Sequence, residues 1–420
     1  MANRRYPTGT ATSENMDAEL RTGRNPLTGR SAPRFATLAA NGPHPPSAGA
    51  ISTPVERAST ILYASADEYM RRHDGYYDDV IYGLYGTQTT FALAETIAAL
   101  EGGHMTVITS SGTAAIALGL TTFLGAGDHL LVADTVYGAT RRFCEECLRR
   151  MGVQVSYFDP LATEAISEQF RPNTRAVYLE SPGSHTFEMI DVAQVTAIAR
   201  ERKVVTLMDN TWATAVLFRP LEHGVDVSIE SATKYLSGHS DVMMGTLTAA
   251  TSDMYMRLKD TVGRWGNCAG PDECYLVHRG LRTLDVRLER HQRNAMVLVE
   301  WLLHRPEVAR VLYPPHESDP GHHLWRRDYR GASGLFGIAL RPEYWSVSNA
   351  LFSELQHFRI GSSWGGFESL IVPAWPPPPR TCRPGPAKGE LVRIHAGLED
   401  PDDLLADLDA AFNRLARAIQ

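Results

Sequence analysis

Lysine is the residue this chain most lacks. It has four in 420 positions against 37 arginines, so Lys203, Lys234, Lys259 and Lys388 are every side-chain amine it can offer to a carbonyl. Cysteine is scarce too: five residues, at spacings that build no disulfide framework, exclude a staple-dependent fold and favour reduced thiols. The one C-x-x-C, Cys144 and Cys147, falls in the helical stretch RRFCEECLRRM with no second Cys/His pair nearby in sequence, so the two thiols read as packing on one helix face and no metal is expected. No apolar run reaches the ~18 residues of a membrane span, and the opening MANRRYPTGTATSEN lacks the apolar stretch of a secretory signal. A cytoplasmic location without a membrane partner is expected. Basic excess is absent as well: a net charge of −7 leaves nothing to neutralise a phosphate backbone, which excludes nucleic acid as the main partner.

What is present is an ordinary globular composition, 43% apolar, in a chain long enough for two or three domains and a large core. Residues 1–48, rich in Pro, Gly, Ser, Thr and Arg without apolar periodicity, are expected to form an arm with no core of its own. From about residue 90, helical and strand patterns alternate: TFALAETIAALEGG, GTAAIALGLTTFL and GATRRFCEECLRRM as helices, with MTVITS, HLLVAD, VQVSYF, RAVYLE and KVVTLMD as short apolar strands. Such alternation means βαβ units and a mainly parallel sheet covered on both faces, an α/β fold. The sheet pattern fades after about 250. LDVRLERHQRNAMVLVEWLLHR then reads as one long helix, followed by GLFGIAL, a helix around SVSNALFSELQHF, the strand LVRIHAG and a closing helix from Pro401. The expected division is therefore a large domain over 49–285 and a smaller α+β domain over 286–420. WPPPPRTCRPGP at 375–386 is too dense in proline for a helix or strand interior and reads as a surface loop.

Three features carry chemistry. Asp209 closes the strand KVVTLMD, at the carboxyl end where α/β sheets place ligand-binding groups. Lys234 follows Ser231 and Thr233 at the end of DVSIESATK, the context of an imine-forming amine beside hydroxyls that hold a phosphate. Ser110, Ser111, Gly112 and Thr113 turn from a strand into a helix, whose first N–H groups face any anion above the strand. Anion cradle, carboxylate and amine together match the needs of pyridoxal 5′-phosphate: a seat for the phosphate, a partner for the pyridine nitrogen, an amine for the aldehyde. Tyr137, in ADTVYGAT, is placed to stack on such a ring and exchange protons. Ser231-Ala-Thr-Lys234 also fits the S-x-x-K motif of serine acylases, but the S-D-N and K-T-G partners of that motif occur nowhere in the chain.

YGLYGTQTTFALAETIAALEGG, SSGTAA, LESPGS, MDNTWA, SATKYLSGHSD, RGLRTL, SSWGGFESL and VRIHAGLED resemble, in order and spacing, the cysteine and methionine metabolism family of pyridoxal-phosphate-dependent enzymes, and within it most the cystathionine β-lyase branch. The resemblance runs from about residue 50 to the end. It implies the aspartate-aminotransferase-like fold and a homotetramer of tight dimers, with 49–89 reaching the partner subunit. It implies β-elimination on cystathionine or a related sulfur amino acid. Lys234 then matches the lysine that binds the cofactor's aldehyde, Asp209 the partner of the pyridine nitrogen and Tyr137 the stacking ring. Gly112, Thr113, Ser231 and Thr233 match phosphate donors, Tyr82 a cofactor contact made across subunits, and Arg393 with Ser363 and Trp364 the grip on the substrate carboxylate.

Three positions depart from that pattern: Leu84 replaces an arginine in Tyr82-x-Arg, Gly263 a substrate-side tyrosine, and Ser362 another tyrosine. They leave open a γ-elimination or γ-replacement enzyme acting on another substituted amino acid, or a non-catalytic relative.

Overall fold

The computed structural model describes residues 33–44, 48–375 and 379–419. Its first element is helix α1, Phe35–Asn41, whose Leu38 and Ala39 are buried. They pack on helix α2, Gln88–Glu101. The expectation of a coreless arm therefore fails over 35–41, where Phe35, Leu38 and Ala39 at i, i+3 and i+4 make one short apolar face. Residues 1–32 and 45–47 of that arm lie outside the described residues.

Helix α2 ends at Gly102, whose left-handed φ of 72° suits a residue without a Cβ. Strand β1 (Met105–Thr109) leads into helix α3 (Gly112–Phe123), capped by Ser111 Oγ, which accepts from the Ala114 N–H at 3.1 Å. Strands β2 (His129–Ala133), β3 (Gln154–Phe158), β4 (Thr174–Glu180), β5 (Val205–Asp209), β6 (Val227–Glu230) and β7 (Gly245–Ala249) complete a seven-stranded sheet in the order β1-β7-β6-β5-β4-β2-β3. Strands β2 to β6 are parallel, and β7 runs against both neighbours. Burial on both faces explains why β2 and β4 are continuous apolar runs (Leu130–Ala133, Ala176–Leu179) rather than alternating ones.

The stretch after Tyr137 is helical but not uniformly α. Gly138–Arg142 is α-helix, and Phe143–Leu148 widens to π turns in which the Arg149 N–H reaches back to Cys144 O. A wider turn takes residues three apart off a common face. Cys144 is accordingly buried and Cys147 exposed, which corrects the shared-face reading.

Helices α4 (Ser252–Arg264) and α5 (Leu284–Leu303) lead to a second, antiparallel sheet. Its strands β8 (Val308–Leu312), β9 (Leu335–Leu340), β10 (Leu370–Pro373) and β11 (Leu391–His395) lie in the order β10-β11-β9-β8, closed by helix α6 (Pro401–Arg417). The helix expected around 346–358 is a 3₁₀ run over Pro342–Phe352. It stops where the N–H groups of Gln356, His357 and Phe358 all donate to the Asp407 carboxylate of α6. The described part of the proline-dense loop is pinned rather than free. Asp134, just past β2, accepts from Arg380 Nε at 3.0 Å and from the N–H groups of Thr381 and Cys382 at 2.9 Å, and pairs with Arg141 on its other side.

Candidate active site

The carboxyl ends of β2, β4 and β5, the turn after β6 and the loop before β10 surround one cleft of about 1210 Å3, partly open to solvent. Gly112, Thr113, Tyr137, Asp209, Ser231, Thr233 and Lys234 line it from the large sheet, and Ser363, Trp364 and Arg393 from the small one. Tyr82 is not among the lining residues. It stands about half exposed on the 49–89 segment.

Lys234 sits in a turn closed by its own N–H on Ser231 O at 3.0 Å and by the Gly238 N–H on Lys234 O at 2.8 Å. Tyr235, next to it, is fully buried, and its carbonyl accepts from Arg287 at 2.8 Å. The loop bearing Ser363 and Trp364 approaches so closely that a Cβ on Gly365 (φ 86°) would lie 2.9 Å from Tyr235 N; only glycine fits. These contacts aim the Lys234 side chain across the cleft, where Nζ donates to Ser363 Oγ at 2.5 Å and lies 5.4 Å from the Trp364 ring centre. Desolvation, with the positive field of Arg393, pushes the amine down to about 8 against the pull of Asp209. A lysine so depressed holds a substantial neutral, nucleophilic fraction near neutral pH.

Asp209 and Glu180 are register partners on adjacent parallel strands. Desolvation raises both; Glu180 reaches about 8 with Asp209 as the next cause, although Ser184 Oγ and the Tyr137 N–H each donate to it at 2.6 Å. Two carboxyl groups held side by side at the cleft floor make a seat for positive charge, and a protonated ring nitrogen would satisfy it. At the other end, the first N–H groups of α3 open onto Ser231. A Cβ on Gly112 would stand 2.7 Å from Ser231 Oγ, so the cradle exists because position 112 is glycine. Of the two expected hydroxyl donors, Thr233 is engaged with the backbone of Met244, its Oγ1 accepting from the Met244 N–H at 2.9 Å and donating to Met244 O at 3.2 Å. Arg393, on β11, donates through Nη2 to Ser362 O and Ser363 O, both at 3.0 Å, and to Gly361 O at 3.4 Å. No hydrogen bond to a described residue engages Nε or Nη1, which leaves two donors for a ligand. The donor set thus fits pyridoxal 5′-phosphate at phosphate, ring nitrogen and aldehyde.

The departures at 84 and 263 prove to be neighbours in space. Leu84 and Gly263 line a second, much smaller cavity, partly open to solvent, together with Tyr85 and Lys259. A Cβ on Gly263 would meet Tyr76 Oη at 2.7 Å and Tyr85 Cε1 at 3.0 Å, so tyrosines of the 76–86 segment take the volume a side chain at 263 would need. Ser362 lines the Lys234 cleft itself. Sequence reasoning passed over Glu180, Ser184 and His185, which also line that cleft, although all belong to LESPGSH. The only available signal was a carboxylate ending an otherwise apolar strand.

Residues 36–413 match the model of the family described as Cys/Met metabolism PLP-dependent enzyme, and the chain belongs to that family. Its architecture, a mainly parallel seven-stranded sheet with a smaller antiparallel one, is the fold-type I architecture of pyridoxal-phosphate enzymes. Among particular proteins, it is 46% identical over 368 residues to a putative cystathionine beta-lyase of Rhizobium johnstonii, covering 87% of this chain and 91% of the relative. It is 40% identical over 379 residues to cystathionine beta-lyase MetC of Escherichia coli, covering 87% and 94%. The crystal structure of metB from Corynebacterium glutamicum superposes with a TM-score of 0.84 at 29% identity, covering 91% of this chain and 99% of that one.

Proposed function

We propose that the protein is a carbon–sulfur lyase that performs β-elimination on cystathionine or a related sulfur amino acid, releasing a thiol, pyruvate and ammonia. The observation that carries this reading is the one lysine that lines this cleft, Lys234, desolvated and reaching from the carboxylate-paired floor at Asp209 to the Ser363–Arg393 wall. When bound, pyridoxal phosphate supplies an electron-accepting ring that stabilises negative charge at the substrate Cα. The chain's own residues do the rest. Gly112, Thr113 and Ser231 hold the phosphate, with Thr233 stiffening the turn that presents Ser231 and Lys234. Asp209 keeps the proton on the ring nitrogen, and Tyr137 covers the ring. Arg393 takes the substrate carboxylate through an N–H that its contacts with residues 361–363 leave free. Lys234 Nζ, oriented by Ser363 Oγ, removes the Cα proton. Lys234 or the Tyr137 phenol then delivers a proton to the departing sulfur.

The assembly is read as a homotetramer of dimers in the cytoplasm, with Tyr82 and the 49–89 segment completing the partner's site. The exposed Ile51, Leu62, Met70 and Tyr82 support this as an apolar surface in want of cover. Among the described residues no helix is long and apolar enough to cross a membrane. A domain limit at 285/286 follows the same reading. The test is to offer the purified protein L-cystathionine, L-cystine and L-methionine and identify the keto acid by mass spectrometry. Pyruvate is the expected product. Accumulation of 2-oxobutyrate instead would reassign the enzyme to γ-elimination, and no keto acid from any of the three would overturn the lyase reading.

A further inference from the structure

One cleft side chain has no role in the scheme above. His185 sits on the turn that follows β4. That turn is fixed by the Ser184 N–H on Thr135 O at 2.8 Å, the Gly183 N–H on Glu188 O at 2.9 Å and the Phe187 N–H on Gly183 O at 2.9 Å. Its backbone is left-handed, with φ 64°, a strained conformation for a residue with a Cβ and one that concentrates at functional sites. Nδ1 is buried without a hydrogen-bond partner among the described residues, and the ring lines the cleft beside Arg393. Burial, then the field of Arg393, hold the imidazole neutral by pushing it down to about 4. A space-filling role would be met better by an aliphatic side chain, which leaves no polar atom unpaired. A neutral imidazole keeps one N–H to donate, and the electrostatics of its surroundings favour an anion.

We propose that His185 is a substrate-binding residue, a second donor to the carboxylate that Arg393 receives. The arginine's Nη2, which both parallel donor pairs of a guanidinium need, is committed to the carbonyls of residues 361–363, so a single N–H of Arg393 reaches the carboxylate from one side and the His185 N–H from another. A carboxylate held from two directions is fixed in orientation as well as position, which sets the Cα–H bond toward Lys234. This inference rests on the assignment of Arg393 above.

The test compares L-alanine with ethylamine, its counterpart without the carboxylate, as ligands of the cofactor-loaded protein, with affinities measured by calorimetry. His185→Phe is expected to weaken L-alanine by about 10-fold or more, the effect of losing a hydrogen bond to a charged group, while ethylamine binds as in wild type. Phe187 already occupies a left-handed position in the same turn, so an aromatic residue at 185 is compatible with its backbone. His185→Gln, which keeps a donor, is expected to recover most of the affinity, with cofactor content and thermal midpoint unchanged in both variants. Equal weakening of both ligands, or of neither, overturns the proposal. An Arg393→Ala variant that still distinguishes the two ligands as wild type does would overturn the assignment of Arg393 itself.

Discussion

Lys234→Ala is expected to lower kcat for carbon–sulfur cleavage by at least ~10³-fold. General base catalysis alone contributes ~10²–10⁴, and the substitution also removes the amine that tethers the cofactor's aldehyde. No other lysine can substitute from where the fold puts it: Lys259 is bound to Tyr77 O at 2.8 Å and Tyr255 Oη at 3.2 Å on the wall of the other cavity. Lys234→Arg should fail almost as fully, since a guanidinium keeps the charge but does not give up its proton at working pH. Keto-acid formation at saturating substrate checks both variants. A Lys234→Ala enzyme within tenfold of wild type would mean that another group removes the Cα proton.

The second large effect is on stability. Asp134→Ala is expected to cost ~3–5 kcal/mol, the usual result of breaking a buried ion pair and leaving its partner uncompensated. The carboxylate is fully buried, and it faces two guanidinium groups, Arg380 and Arg141, whose side chains are 4% and 10% exposed. It also accepts the N–H groups of Thr381 and Cys382. Glu188 retains part of Arg380, bound at 3.0 Å, which holds the loss toward the lower end of that range. Because Asp134 lies three residues before Tyr137, the loss should be accompanied by a looser aromatic wall to the cleft. Denaturant unfolding at fixed protein concentration measures the cost. A change below ~1 kcal/mol would show that the arginines find water or other carboxylates.

The two findings differ in how far the chain itself announced them. Lys234 was legible because lysine is so rare that context could decide among four candidates. Asp209 and Gly112 were legible because strand-end carboxylates and strand-to-helix turns have a fixed place in parallel sheets. Asp134 was not legible. Its partners come from a loop some 250 positions away, and no local pattern links HLLVAD to PPPRTC. Glu180 was passed over for the same reason, since its character comes from lying in register with Asp209 on a neighbouring strand. Strand β7, GTLTA, lacked an apolar run because threonines fill its buried positions, and Thr248 meets Thr106 across the ladder at 2.9 Å. The π turns after Arg142 left no trace in composition, because α and π windings accept the same residues there. Leu84 and Gly263 looked like two separate losses until the fold brought them to one cavity.

Reduction of the cofactor-loaded protein with borohydride, followed by peptide mass mapping, tests the centre of this account most directly, because reduction fixes the cofactor to whichever amine held its aldehyde. Desolvation alone does not choose the residue, since it lowers Lys234 and Lys259 alike to about 8. What separates them is the setting: Lys234 shares its cleft with Asp209, the Gly112 turn and Arg393, whereas Lys259 lies in the other cavity. A pyridoxyl mass increment on the Lys234 peptide alone is the expected result. The increment on Lys259, Lys203 or Lys388, or on none of the four, would contradict it.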